Sequence, residues 1–227
     1  MRRRYDKEIM DDISITDGRI RRALDELRII NIFLGGRNIS RDGIVTLARG
    51  LPIAREPALT ILDIGAGGSD SLDTLPGEIR RAATIVSLDI NKGVCAYLIE
   101  HDNARFVICA NAFTLPIRGN GVDIIHVSLF LHHFKEEEID RLLRQFLETS
   151  RIGIVINDLH RSIFAFAGIW LLTHVFPASH MVRHDGPLSV QRGFLRSELE
   201  AILSRLPASS YSLRRRWAFR WLIVIKK

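Results

Sequence analysis

The sequence predicts a doubly wound α/β fold, in which helices cover both faces of a parallel sheet. From residue 58 onward, short apolar runs alternate with amphipathic stretches, which is the pattern of βαβ winding. The runs are too apolar to leave one face of a strand in water, as expected for covered parallel strands. A chain of 227 residues, 47% of them hydrophobic, is long enough to bury such a core and excludes a disordered protein.

Charge and cysteine content narrow the class of protein further. The net charge of +6 permits anionic partners without requiring them. Cys95 and Cys109 have no spacing typical of a disulfide framework or a structural zinc site, so we expect no metal. Met1 is followed by charged residues rather than by an apolar stretch, so we expect no secretory signal and a cytoplasmic location.

Residues 1–57 are predicted to form a helical cap, followed by the main domain at 58–227. Apolar residues recur at helical spacing between Ile20 and Leu34. Ser40 is a candidate cap of a second, short helix. We expect this segment to pack over the mouth of a ligand site.

Seven strands are predicted in the main domain. The first five lie at 58–64, 84–88, 105–110, 122–129 and 152–157. An amphipathic helix over 135–148 separates the fourth strand from the fifth. The last two strands, 209–215 and 218–225, are joined by too few residues for a crossover helix, so they should be antiparallel.

A glycine-rich turn follows the first strand and an acidic residue ends the second. Gly65 and Gly67 let the backbone approach a ligand closely, although a plain glycine turn would have the same residues. Asp89 follows Gly65 at about the 20-residue interval where a carboxylate can accept the hydroxyls of an adenosine ribose. The alternative for Asp89 is that it starts a helix together with Asn91.

The details of this turn distinguish between cofactors. A dinucleotide fingerprint would have its third glycine at Asp70, which disfavours NAD. Asp63 followed by Gly65-Ala66-Gly67 resembles the first motif of the class I S-adenosylmethionine-dependent methyltransferases. The resemblance covers residues 58–227 and implies a Rossmann-like, seven-stranded, mostly parallel sheet with an antiparallel last strand. It also implies S-adenosylmethionine as the cofactor.

The resemblance assigns cofactor binding to residues at the ends of the first four strands. These are Asp63, Gly65, Ala66, Gly67, Asp89, Ile90, Asn111, Ala112 and Ser128. It implies that Asp63 orders the glycine loop or meets the amino-acid end of the cofactor, and that Asp89 binds the ribose. Asn111 stands where many members of the family have aspartate, and Ser69 stands where many have a third glycine.

The fourth strand is followed by Leu131-His132-His133-Phe134. This segment resembles the small-molecule branch of the family, which includes quinone and natural-product methyltransferases. The Asn/Asp-Pro-Pro-Tyr/Phe motif of amino-group methylases is absent. Because ligands of open α/β sheets bind beyond the carboxyl ends of the strands, His133, and after it His132, are candidate bases.

Polar residues also follow the fifth strand. Asp158 and His160 are candidate supports for the base, and Arg161 is a candidate substrate ligand. The alternative is that Asp158 caps the next helix, with the other two in its solvated first turn. Residues 181–189 are predicted to form a polar loop, where Arg183 and His184 contact substrate or simply form a surface turn.

An apolar run extends from Ile163 to Phe176 and is too short to span a membrane. It is interpreted as the roof of an apolar substrate pocket or as a contact with membrane lipid, with core packing as the alternative.

The basic clusters Arg2–Arg4 and Arg214–Arg216 lack the aromatic-lined face of a nucleic-acid site, so nucleic acid is not the expected partner.

The sequence therefore predicts methyl transfer from S-adenosylmethionine to a small, apolar or aromatic acceptor, at oxygen or at carbon. Two alternatives remain open at this stage. One is an NAD(P)-dependent oxidoreductase, and the other is a non-enzymatic basic module that binds a membrane or RNA. The oligomeric state has no sequence signal.

Overall fold

One seven-stranded sheet organises the computed structural model, which describes residues 1–49, 51, 59–68, 70–101 and 106–227. The strands are β1 (Leu59–Ile64), β2 (Ala83–Asp89), β3 (Phe106–Cys109), β4 (Val122–Ser128), β5 (Ser150–Leu159), β6 (Ser210–Arg216) and β7 (Arg220–Lys226). The helices are α1 (Gly18–Phe33), α2 (Gly36–Ala48), α3 (Gly77–Ala82), α4 (Lys92–His101), α5 (Glu136–Thr149), α6 (Ile163–Val175), α7 (His180–Arg192) and α8 (Arg196–Leu203). Short 3₁₀ turns occupy Ile9–Asp11, Asp70–Leu72 and Leu131–His133.

The strand order is β3-β2-β1-β4-β5-β7-β6. Strands β1 to β5 are mutually parallel, and β7 runs antiparallel to both of its neighbours, β5 and β6. The predicted seven-stranded, mostly parallel sheet with an antiparallel last strand is confirmed. The chain reverses its direction of winding between β1 and β4, and such a switch point opens a ligand crevice at the carboxyl ends of the strands.

Apolar clusters lie on both faces of the sheet. Ile124 of β4 packs in a cluster that contains Ile44 and Leu47 of α2. Ile125, the next residue, packs in the opposite cluster with Phe146 of α5. Successive residues of a strand point to opposite faces, so a strand covered on both sides is mostly apolar on both faces.

Two local expectations were wrong. Ser40 does not cap α2, which begins at Gly36 and buries Ser40 in its interior. The segment 181–189 is not a loop but belongs to α7, whose N-cap is Ser179. Burial of Met181 and Val182 against α1 stabilises the helix although it contains Pro187, so tertiary packing overrides the local turn signal.

The β6–β7 connection is a tight turn at the rim of the sheet. Ala218 and Phe219 both have left-handed backbone angles, with φ of 56° and 55°. Non-glycine residues adopt this conformation at a cost, and such residues cluster at functional sites. The predicted boundary at 57/58 and the predicted strand ends at Ala58 and Arg105 lie outside the described residues.

Candidate active site

The glycine turn after β1 has the geometry of a ligand cradle. Gly65 has a φ of +63° and donates its backbone N–H to the carbonyl of Leu88 over 2.8 Å. A Cβ at Gly65 would lie 2.2 Å from Cδ2 of Phe130. Gly67, with a φ of +52°, donates to Oδ2 of Asp89 over 3.3 Å. Positive φ and the close approach of Phe130 together require glycine here. Ser69 lies outside the described residues.

Asp89 is held at the end of β2 and is not the cap of α4. Its Oδ1 accepts from the backbone N–H of Asn91 over 2.9 Å. The capping role belongs to Asn91, whose Oδ1 accepts from the N–H groups of Gly93 and Val94. Burial raises the pKa of Asp89, and each oxygen keeps a lone pair with which to accept a hydroxyl.

A cavity of about 1120 Å³ opens at the carboxyl ends of the strands. Every predicted cofactor residue lines it, namely Asp63, Gly65, Ala66, Gly67, Asp89, Ile90, Asn111, Ala112 and Ser128. The hydroxyl of Ser128 is buried there and has no hydrogen-bond partner among the described residues. A glycine cradle, a carboxylate at the ribose position and an orphaned hydroxyl fit an adenosyl cofactor.

A buried polar network lies beneath the glycine turn and includes residues that sequence reasoning missed. Nδ1 of His126 lies 2.7 Å from Oδ1 of Asp63, and its Nε2 lies 2.8 Å from Oγ of Ser40. Asn157 donates to the same Ser40 oxygen over 3.0 Å. The carboxylate only accepts, so Nδ1 carries the proton and Nε2 accepts from Ser40. The network thereby fixes Asp63 beside the cofactor position.

His132 is buried between two carboxylates. Its Nδ1 lies 2.7 Å from Oδ1 of Asp158, and its Nε2 lies 3.6 Å from Oε1 of Glu8. Burial lowers the pKa of His132, but the two carboxylates outweigh burial and raise it to about 9. An imidazolium at neutral pH has no lone pair with which to take a proton. The geometry therefore opposes the expectation that His132 acts as a base.

Asp158 supports this histidine and does not cap the next helix. Its Oδ2 accepts from the backbone N–H groups of Leu131 and His132, and the His132 imidazolium holds the pKa of Asp158 low despite burial. The helix cap of α6 is Ser162, which accepts from Phe164. Asp158 thus orients the His132–His133 turn.

His133 lines the cavity and forms a second carboxylate–imidazole pair. Its Nδ1 lies 2.6 Å from Oδ1 of Asp11, a residue of the N-terminal segment. Although burial opposes ionisation, His133 and Arg192 hold the pKa of Asp11 well below its usual range. No motif marks Asp11 in the sequence, because the pair joins positions 122 residues apart.

Arg192 of α7 fastens the N-terminal segment to the histidine turn. Its guanidinium donates to Oδ2 of Asp11 over 2.8 Å and to the carbonyl of His133 over 2.8 Å.

Glu8, His132 and His133 place potential metal-ligand atoms within 4.8 Å of one another. The guanidinium lies only 3.5 Å from Oε1 of Glu8, so a fixed cation already balances this charge. The cluster is an ion-pair network, and a metal would meet repulsion from Arg192.

His160 and Arg161, two further predicted site residues, do not line the cavity. His160 packs against the rings of Phe219 and Trp221. Arg161 is buried and bonds to Glu198 and to the carbonyls of Met1 and Gly193. Its donors are used within the fold, so the geometry does not support a substrate role.

Arg183 and His184 were expected in a loop at the mouth. Both are exposed on α7, and neither is part of the cavity lining. His184 lies 2.8 Å from Asp185, whose carboxylate also accepts from the backbone of the N-terminal segment. The polarity of this stretch therefore serves the docking of that segment.

Comparison with known proteins agrees with this site. Residues 62–152 match the family described as a methyltransferase domain. No curated protein matches the sequence significantly.

Solved structures resemble the fold at low sequence identity. A SAM-dependent methyltransferase from Aquifex aeolicus is 15% identical with a TM-score of 0.57, over 97% of this chain and 99% of that chain. The plantazolicin methyltransferase BpumL, in complex with a desmethyl analogue and SAH, is 15% identical with a TM-score of 0.67, over 90% and 89%. Magnesium protoporphyrin IX methyltransferase from Synechocystis is 12% identical with a TM-score of 0.54, over 87% and 82%.

The fold and the cradle define an α/β enzyme with a site for an adenosyl cofactor. Residues 62–152 carry a methyltransferase domain, so the enzyme is an S-adenosylmethionine-dependent methyltransferase and S-adenosylmethionine is its cofactor. This assignment decides among the three functions that the sequence left open. The residues that would hold the cofactor are the glycine turn, Asp89 and Ser128.

Proposed function

We propose that this enzyme transfers a methyl group to an oxygen of a small, largely apolar acceptor, with His133 as the general base. The observation that carries the proposal is the pair formed by His133 and Asp11, 2.6 Å apart at the cavity that also contains the glycine turn. S-adenosylmethionine supplies an electrophilic methyl group on a sulfonium. A hydroxyl becomes an effective nucleophile when a neighbouring base takes its proton.

The partners of His133 define which nitrogen can act. The ionised carboxylate of Asp11 only accepts, so Nδ1 of neutral His133 carries the proton and Nε2 has a free lone pair. Nε2 can then take the acceptor proton, after which Asp11 stabilises the imidazolium that forms. We therefore propose that Asp11, contributed by the helical cap at 1–57, positions the base.

The walls of the cavity favour an apolar acceptor. Aromatic rings cluster around the histidine turn, with centroids of Phe130 and Phe134 4.9 Å apart and those of Phe113 and Phe134 5.3 Å apart. Across the cavity, α6 adds further apolar lining, including Ile169 and Leu172. Such walls bind an aromatic or aliphatic body and leave few polar groups to orient it.

The fixed geometry of the histidine turn supports catalysis by positioning. Asp158 binds the N–H groups of Leu131 and His132, and Arg192 binds the carbonyl of His133. In-line transfer requires the nucleophile and the methyl carbon about 3 to 3.5 Å apart. A rigid turn between the cofactor cradle and the acceptor pocket provides that constraint.

The substrates named for two similar structures support an acceptor of this class. One is a methyltransferase of the natural product plantazolicin, and another acts on magnesium protoporphyrin IX. A further solved structure, that of the CurJ carbon methyltransferase, is 16% identical with a TM-score of 0.59, over 84% of this chain and 53% of that chain, so product analysis is the decisive step.

The test is methyl transfer from radiolabelled S-adenosylmethionine to a panel of phenols, quinols and long-chain carboxylic acids, with amines of similar size included for contrast. We expect turnover with at least one hydroxyl acceptor and an O-methyl product by mass spectrometry and NMR. A carbon-methylated product, or turnover only with amines, would overturn the proposal. Calorimetric titration with S-adenosylhomocysteine verifies that each preparation is competent to bind cofactor.

A further inference from the structure

Helix α6 is an apolar helix on the protein surface. Residues Ile163–Val175 include no charged side chain apart from the titratable His174, and only Thr173 is buried. Phe164 is 75% exposed, and Leu171 is also exposed. A surface helix of a soluble domain normally turns a polar face to water, so this one is built to meet an apolar environment.

The exposed apolar surface continues around the mouth of the cavity. Phe164 and Trp217 both line the cavity, yet Trp217 is 81% exposed, which places both residues at its edge. Trp217 sits on the strained β6–β7 turn, and its Cδ1 lies 3.8 Å from the Cβ position of Gly35. Phe33, two residues earlier on α1, is 78% exposed. We call Phe33, Phe164, Trp170, Leu171 and Trp217 the apolar rim.

The segment that contains α6 is poor in carboxylates, and exposed cations lie beside Trp217. From Leu159 to His184 the sequence contains no aspartate or glutamate. Arg214 and Arg215 are exposed beside Trp217, and within the described part of the chain no carboxylate pairs with either guanidinium. An apolar helix flanked by cations is complementary to a surface that combines apolar chains with negative headgroups.

We propose that the apolar rim docks on a lipid bilayer that contains anionic lipids, with the cavity mouth facing the membrane. No helix among the described residues is long and apolar enough to cross a membrane, so α6 would lie in the interface plane. Resting on the proposed function, the acceptor would be a lipid-soluble hydroxyl compound that enters the cavity from the bilayer. The strain at Ala218 and Phe219 then serves to present Trp217 to the lipid.

Vesicle binding tests the docking without any acceptor or turnover. The protein is titrated with vesicles of phosphatidylcholine alone and of phosphatidylcholine with phosphatidylglycerol, and bound protein is measured by sedimentation. We expect binding to the anionic vesicles that weakens as salt is raised. Two of the three tryptophans, Trp170 and Trp217, belong to the rim and the third, Trp221, is buried. A blue shift of tryptophan fluorescence should accompany binding and disappear in the double variant W170F/W217F.

Matched variants separate the rim from general surface effects. We expect Phe33→Gln combined with Leu171→Gln to weaken vesicle binding about tenfold or more, whereas Ile99→Gln, an exposed apolar position on α4, should not. Arg214→Gln with Arg215→Gln should weaken binding to anionic vesicles roughly tenfold. Arg196→Gln with Arg205→Gln removes the same charge elsewhere and should have little effect. Cofactor titration verifies that each variant is folded.

The outcomes distinguish lipid from other occupants. Equal binding by the rim variants and the wild type, or no binding to either vesicle, would overturn the proposal. A dimer in solution that dissociates on Phe33→Gln with Leu171→Gln, without vesicle binding, would assign the rim to a second copy of the chain. Vesicle binding with no transfer to any hydroxyl acceptor would leave the docking intact and reject the proposed function.

Discussion

The two halves of the cavity are built in different ways. The proposed cofactor half consists mainly of the glycine turn after β1 and Asp89 at the end of β2, which are visible as a sequence motif, and Ser128 joins them from the end of β4. The proposed acceptor half, beyond the ends of β4 and β5, contains His133, and its partners Asp11 and Arg192 come from the N-terminal segment and from α7.

This difference reflects the chemistry that each half performs. Binding a constant cofactor needs backbone geometry, which a few adjacent glycines specify. Orienting a base toward a particular acceptor needs several side chains, and these come from separate segments and loops around the edge of the sheet. The following predictions test this division, beginning with the largest effect.

His133→Ala should reduce turnover by about 10² to 10⁴-fold, because the acceptor hydroxyl loses its base. Affinity for S-adenosylhomocysteine, measured by calorimetry, should stay within a few-fold of wild type. His184→Ala is the matched control, since His184 also pairs with an aspartate but lies outside the cavity lining. Unchanged turnover in His133→Ala would remove this residue from the mechanism.

Asp89→Ala should act on the other half and weaken S-adenosylhomocysteine binding about 10- to 100-fold, through loss of charge-assisted hydrogen bonds to the ribose. Calorimetric titration measures the change directly. Asp140→Ala, which removes an aspartate paired with Arg144 on the surface of α5, should bind as wild type. An unaltered affinity in Asp89→Ala would refute the ribose assignment.

Asp11→Asn should lower kcat about tenfold or more with little change in cofactor affinity, because the base loses its orienting carboxylate. The acidic limb of the pH profile of kcat should also shift to lower pH, because the imidazolium that forms on His133 loses the carboxylate that stabilises it. Asp12→Asn changes the neighbouring aspartate, whose carboxylate bonds only to Ser14 among the described residues, and should leave both quantities unaltered. A wild-type pH profile in Asp11→Asn would reject the positioning role.

The last prediction concerns stability rather than turnover or cofactor binding. The pKa of His132 is raised from 6.5 to about 9 in the folded protein. Its ion pairs therefore stabilise the fold fully below about pH 6.5, and this contribution is lost as the pH rises through 9. The free energy of unfolding in urea should fall by a few kcal/mol between pH 6.5 and 9. His132→Asn should be less stable than the wild type at pH 6.5, and its free energy of unfolding should change less with pH. If the free energy of unfolding changed equally with pH in both proteins, His132 would not be the group responsible.

Local sequence patterns predicted most of the sheet and failed where packing competes with a turn signal. The strands were placed to within a few residues because covered parallel strands must be apolar on both faces. At 181–189 the Asp185-Gly186-Pro187 signal favoured a turn, yet the segment is helical. Gly186 faces α6, where a Cβ would lie 3.2 Å from Ile169, so the glycine serves helix packing.

Local sequence patterns also fail to show how buried polar residues are paired. His126 lies within an apolar strand, and its bonds to Asp63 and Ser40 span 63 and 86 positions. An isolated histidine in a strand is the only signal of this network in the sequence. Asp63 comes beside His126 only when β1 pairs with β4, and Ser40 only when α2 packs on the sheet.

The sequence by itself determined the alternating α/β architecture, the cofactor cradle and the position of His133, because apolar periodicity, glycine and strand ends act over short distances. Only the tertiary structure decided that His132 is a buried cation, that Asp11 pairs with His133 and that α6 stays exposed. These properties depend on which distant carboxylates, guanidinium groups and apolar surfaces the folded chain brings together. The electrostatic energies of the charged groups also depend on their burial, which no local sequence pattern encodes.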